Sequence, residues 1–167
     1  GGDGIAEGAC DCDGNVDLGC GCGEDGPSGC DETCGSTAVI DDCGVCAGDG
    51  TSCQWATLSL DNFNSTDQTV EVWYDFGSTV SGFQFDVSGL ALTGGSGGAA
   101  GDAGLVVQAG PNETVIGFDM GGSSIAAGSG ILTVLSFSDV TADVTELSLG
   151  TGGAVSGPNG MVFATTA

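Results

Sequence analysis

The thirteen residues 41–53, DDCGVCAGDGTSC, hold three cysteines, three aspartates and three glycines. Two chemistries compete for such a stretch. The sulfurs could bind a metal as thiolates, or they could close disulfides and leave a metal to the aspartate oxygens. Cys43-Gly-Val-Cys46 has the spacing of half a zinc site, and a four-sulfur site needs a second knuckle of similar spacing. Cys10-x-Cys12 and Cys20-x-Cys22 do not have it, and the chain has no histidine to help. Nine cysteines among many acids, with no other cytosolic sign, read better as disulfides in an oxidising compartment.

The oxygens then carry the metal chemistry. In DCDGNVD, Asp11, Asp13, Asn15 and Asp17 set oxygen side chains at alternating positions around a glycine. Calcium takes six to eight oxygens from carboxylates, amides and carbonyls, and a turning loop can aim several at one point. The bland alternative is that Asp and Gly are simply turn residues. The stretch also lacks the closing glutamate and flanking helices of an EF-hand loop. Against the bland reading stands the absence of any cationic side chain that could neutralise these acids.

Composition bounds the partners. The 167 residues include 23 acids and no lysine, arginine or histidine, for a net charge of −23. No protein salt bridge can form, so self-repulsion must be screened or offset by bound cations. Nucleic acid is excluded as a partner because phosphate contacts need basic residues. Anionic membrane surfaces are excluded for the same reason, and no apolar run is long enough to span a bilayer. With 40% hydrophobic residues the chain falls outside the disordered class. Residue 1 opens on a polar glycine-rich stretch with no leader pattern. The expectation is a mature product or a piece of something longer.

The chain has two unlike parts. All nine cysteines lie in residues 1–53, whereas all ten aromatic residues follow residue 54. We set the boundary there, giving parts 1–53 and 54–167. The first part cannot bury a core and needs staples or metals. It also repeats: Asp-Gly follows closely after Cys12, Cys22 and Cys46, and the opening GGDG matches AGDG at 47–50. In that register a cysteine is missing before Gly1. This suggests a chain cut inside a repeat, or a repeat completed by a neighbour. Pairing neighbours in the same register gives Cys12–Cys20, Cys22–Cys30, Cys34–Cys43 and Cys46–Cys53. Cys10 is left over for an upstream or intermolecular partner.

The second part reads as β throughout. VEVWYDF (70–76) alternates Val70, Val72, Tyr74 and Phe76 against Glu71, Trp73 and Asp75. FQFDV (83–87), TVIGFDM (114–120) and ILTVLSF (131–137) behave similarly. Period-two segments separated by turn residues predict a sandwich of eight or nine strands with no helix. The glycine-rich stretch 93–104 is expected to be a loop that lets another chain approach closely. Two N-x-S/T triplets, at Asn64 and Asn112, fall in expected turns and are glycan acceptors if the host glycosylates them. Trp73 is either an exposed aromatic platform or part of a second buried face, and the latter is preferred.

Two resemblances arise from these residues. CDCDGNVD resembles the Asp-x-Asp-Gly-x-x-Asp core of thrombospondin type 3 repeats, and DDCGVCAGDGTSC looks like a repeat common in large secreted proteins of marine microbes. This resemblance implies calcium at Asp11, Asp13 and Asp17, and beyond them at Asp3, Asp25, Asp41, Asp42 and Asp49. The chain departs from the pattern in having fewer aspartates per repeat and more cysteines. VSGFQFDVSGLAL and GSGILTVLSF resemble cohesin domains, which implies a jelly-roll β-sandwich.

The expected architecture is therefore all-β, a cohesin-like jelly-roll preceded by an irregular segment held by disulfides and calcium. The expected role is extracellular and structural: a repeating subunit of a calcium-stabilised surface filament or adhesive layer, partnered by copies of itself or by neighbouring modules. A cohesin-like or carbohydrate-binding module of a larger secreted protein is the alternative. Catalysis is not expected, since without His, Lys or Arg the usual bases and oxyanion clamps are missing.

Overall fold

The computed structural model describes residues 4–41, 43–110 and 112–167. The chain divides into two compact units, Gly1–Ser52 and Cys53–Ala167. The architecture is all-β.

The first unit has almost no regular structure. Among its described residues a hairpin joins β1 (Pro27–Ser28) to β2 (Thr33–Cys34), with Ser28 opposite Thr33. Isolated bridges pair Asp17 with Cys22 and Ile40 with Cys46. None of its described residues joins the buried core, and Val16, Leu18, Val39 and Ile40 are exposed. Covalent bridges and turns replace packing here, as expected for a segment too small to bury a core.

The bridges depart from the expected ladder. Cys10 pairs with Cys22, Cys20 with Cys34 and Cys30 with Cys46, spanning 12, 14 and 16 residues. Cys43 and Cys53 are also disulfide-bonded. The free, exposed cysteine is Cys12, not Cys10. The reason is local backbone folding. The Cys10 amide donates to the Asn15 carbonyl at 2.8 Å, and the Asp17–Cys22 bridge turns the chain back again. Two successive turns bring Cys22 beside Cys10, with Cα atoms 5.6 Å apart, inside the range a disulfide spans. Cys10–Cys22 encloses Cys20 and Cys20–Cys34 encloses Cys30, so the three staples interleave.

The second unit is built from β3 (Trp55–Asn64), β4 (Thr69–Phe76), β5 (Gly82–Ser88), β6 (Leu90–Ser96), β7 (Val106–Ala109), β8 (Thr114–Phe118), β9 (Gly128–Val140), β10 (Glu146–Ser148), β11 (Ala154–Ser156) and β12 (Ala164–Thr166). One sheet runs β12-β3-β4-β9-β6 and the other β10-β5-β8-β7. β10 and β11 pair with opposite ends of β5, so together they act as one interrupted strand. β12 lies parallel to β3, whereas all other pairs are antiparallel. Counted by strand position, the unit has nine.

The alternation read from sequence places the core. Val70, Val72 and Phe76 of β4 are buried, as are Phe83, Phe85 and Val87 of β5. Both sheets feed one cluster, which also takes Leu58, Val115, Leu132, Leu135 and Val155. In β9 the alternation breaks, and Leu132 and Thr133 are both buried. A register shift between Val72 and Trp73 of β4 absorbs the extra residue. The buried Thr133 hydroxyl is satisfied by donating to the Ser96 carbonyl at 3.3 Å.

Residues 93–104 are not a loop. Thr93–Ser96 complete β6, and Gly98–Asp102 form a short helix, α1. Gly98 shows why a glycine is needed in an ordered segment here. Its φ is +63°, and a Cβ there would meet the Leu132 carbonyl oxygen at 2.6 Å. Only glycine lets the helix start this close to β9.

Candidate functional site

Five aspartates of the first unit, Asp11, Asp17, Asp31, Asp41 and Asp49, share one local device. A carboxylate oxygen accepts N–H groups from residues two to four further on, closing an Asx turn. Asp11 Oδ1 accepts the amides of Asp13 at 2.9 Å and Asn15 at 3.0 Å, and Asp11 Oδ2 accepts Asn15 Nδ2 at 2.6 Å. Asp17 Oδ1 accepts the amides of Gly19 and Gly21 at 2.8 and 3.0 Å. Asp41 Oδ1 takes those of Cys43 and Val45, and its Oδ2 takes Gly50 at 2.9 Å. Asp49 accepts the amide and hydroxyl of Thr51. Asp31, which the sequence did not single out, receives the Thr33 amide at 3.4 Å.

These bonds favour the charged form, so the carboxyls of Asp11, Asp17, Asp41 and Asp49 lie below the ordinary aspartate value. The largest cause is the side-chain amide of Asn15 at Asp11, the backbone amide of Gly19 at Asp17, that of Val45 at Asp41, and the Thr51 hydroxyl at Asp49. Their folded values are depressed from 3.8. The stability they confer is therefore complete above 3.8 and is lost as pH falls through the lowered values. In an NMR titration the amide protons of Asn15, Gly21, Val45 and Gly50 should move with midpoints below 3.8. Midpoints at or above that value would show that the turns are not closed by carboxylates in solution.

As cation ligands, these residues are spread along the chain rather than gathered. Among the described residues, the one group of three potential ligand atoms lying within 4.8 Å of one another is Cys10, Asp11 and Cys22. Its two sulfurs are spent in a disulfide, which leaves a single carboxylate. Asp13 is exposed beside Asp11. Asp25 lines a small cleft with Glu24, Cys20, Cys34 and Gly35. Asp3 and Asp42 lie outside the described residues. The described acids thus offer hard oxygen donors singly or in neighbouring pairs, with no closed cage.

The glycan-acceptor triplets fall at two turns. Asn64 ends β3, with its Oδ1 accepting the amides of Thr66 and Asp67 and its Nδ2 donating to Asp67 at 2.7 Å. Asn112 is exposed between β7 and β8. Trp73 overturns the preference for a second buried face: it stands exposed on the outside of its sheet. Searches against family models, curated proteins and solved structures find no match to this chain.

Proposed function

We propose that this chain is a non-catalytic structural module of an extracellular filament or adhesive layer, built to self-associate with calcium. The observation that carries this reading is the first unit, which keeps its shape through interleaved disulfides and carboxylate-closed turns, with none of its described residues in a buried core. Such a segment suits an oxidising exterior, where its bridges persist. Among the described residues no helix is long and apolar enough to cross a membrane.

Calcium would be held by Asp11, Asp13, Asn15 and Asp17 together with backbone carbonyls. Asp11 Oδ2, which accepts the Asn15 Nδ2 N–H, keeps a second lone pair for an ion. Asn15 would contribute its amide oxygen after its amide turns over, since Nδ2 now faces Asp11. The ion would supply positive charge to a surface of net charge −23, which otherwise repels its own copies.

The sandwich supports a cohesin-like jelly-roll plan, with its first and last strands adjacent in one sheet and its connections passing between sheets. Edge strands β6 and β7 flank a cleft of about 670 Å³ lined by Gly94, Gly95, Val107 and Gln108. Open edges of this kind accept a strand from a neighbour.

Sedimentation and electron microscopy of the intact chain, with excess calcium or with chelator, test the proposal. Calcium should produce polymers and slow hydrogen exchange in residues 11–25, and chelator should reverse both. A monomer under all conditions, with unchanged exchange in 11–25, would refute it. The reading as a binding module is favoured by one separate observation, the exposed tryptophan face.

A further inference from the structure

The chain has two tryptophans, and both stand on the outward face of sheet β12-β3-β4-β9-β6. Trp55 is 40% exposed and Trp73 is 36% exposed. The register places Ser59 opposite Trp73 and Thr57 opposite Asp75, so a strip of hydroxyls and one carboxylate lies between the two indoles. By strand geometry their Cα atoms are roughly 14 Å apart.

Both rings are held in place. The Trp73 indole N–H donates to Glu71 Oε2 at 2.8 Å, and the same oxygen accepts Asn62 Nδ2 at 2.7 Å. Asn62 sits in an irregularity between Asp61 and Asn64, with a φ of +48° that few side chains adopt. Bulges commonly re-aim a side chain in this way. A second register shift falls between Val72 and Trp73. Trp55 lies across Gly77, where a Cβ would come within 2.4 Å of the indole nitrogen. Rings fixed before binding lose little entropy when a ligand arrives.

We propose that this face binds a neutral polysaccharide chain laid across Trp55 and Trp73. The inference rests on the binding-module reading and is independent of the filament. A sugar ring has a C–H face that stacks on the negative face of an indole, and hydroxyls at its edge. Thr57, Ser59 and Asp75 would meet those hydroxyls. An apolar protein surface would leave the strip's polar groups without partners, at a cost. An anionic polymer would face repulsion from Asp75 and the whole −23 field. A cationic peptide is less well matched, because Glu71, next to Trp73 on the strip, already receives two N–H donors.

Because these two residues are the chain's only tryptophans, indole emission reports on the face directly. The intact chain should be titrated with cellohexaose, xylohexaose and mannohexaose as neutral probes and with oligolysine as a cationic one. At least one neutral hexasaccharide should shift the emission saturably and independently of salt. Trp73→Ala and Trp55→Ala should each weaken that binding about tenfold, and Trp73→Phe should keep most of it. Hydrogen exchange at Val72 and Phe85 should be unchanged in the alanine variants, excluding a folding effect. Undiminished binding in both alanine variants would overturn the assignment. So would a response to oligolysine alone that salt abolishes, which would leave a peptide-binding module. Silence toward every probe would remove the binding-module reading itself.

Discussion

Full reduction of the chain should abolish the order of residues 4–52 while leaving the β3–β12 sandwich folded. Three of the bridges close loops of 12, 14 and 16 residues. Loops of this size are each worth about 3 kcal/mol through the entropy they remove from the unfolded chain. None of the first unit's described residues belongs to a buried cluster that could offset their loss, and exposed Asx turns contribute little alone. The sandwich contains no cysteine beyond Cys53 and keeps its core. Hydrogen exchange before and after reduction gives the readout. Equal protection of residues 4–52 in both states would show that the bridges are incidental. Alkylation of the oxidised chain should label Cys12 alone, and peptide mapping should recover Cys10 joined to Cys22. A Cys12–Cys20 peptide would instead restore the consecutive ladder.

Much of the sandwich was legible because its signal is carried by side-chain period. Val70, Val72 and Phe76, and then Phe83, Phe85 and Val87, must share a face in any extended chain. The breaks in that pattern come from tertiary contact. The adjacent burial of Leu132 and Thr133 needs the irregularity opposite β4, and the helix at Gly98–Asp102 needs the close approach of Gly98 to β9. Glycines that permit such contact look the same in sequence as glycines in a loop.

The cysteine connectivity was hidden for a related reason. Spacing favours the nearest partner, but the bond goes to the cysteine that the backbone turns bring within reach, and here each of three bonds passes over two nearer cysteines. The carboxylates were ambiguous in kind. Asp11, Asp17 and Asp41 alternate with small residues, as both metal loops and Asx turns require. Neighbouring N–H groups reach these oxygens and close Asx turns, and an oxygen in such a turn can serve an ion as well, so residue type alone does not separate the two roles. Trp73 could be placed opposite Val72 from sequence. Whether that opposite face is covered depends on what packs against it, which period alone does not reveal.

Within the sandwich, Phe85→Ala should be the most damaging single truncation. Phe85 is 0% exposed, in the middle of β5. β8 flanks it on one side, with Val115 opposite, and the β10–β11 line runs along the other. Its ring stacks on that of Phe83 at 5.7 Å between centroids. Removing it takes apolar surface out of the shared core and leaves a cavity that two hydrogen-bonded neighbours prevent from collapsing. Such truncations cost about 3–5 kcal/mol, a large part of the 5–15 kcal/mol that holds an ordinary domain together. Phe118 provides the comparison: it ends β8 on the outward face and is 38% exposed. Phe118→Ala should cost less than about 1 kcal/mol. Urea unfolding followed by the emission of Trp55 and Trp73 measures both variants in the same unit. A Phe85→Ala loss no larger than that of Phe118→Ala would mean that the two sheets do not close on each other around β5.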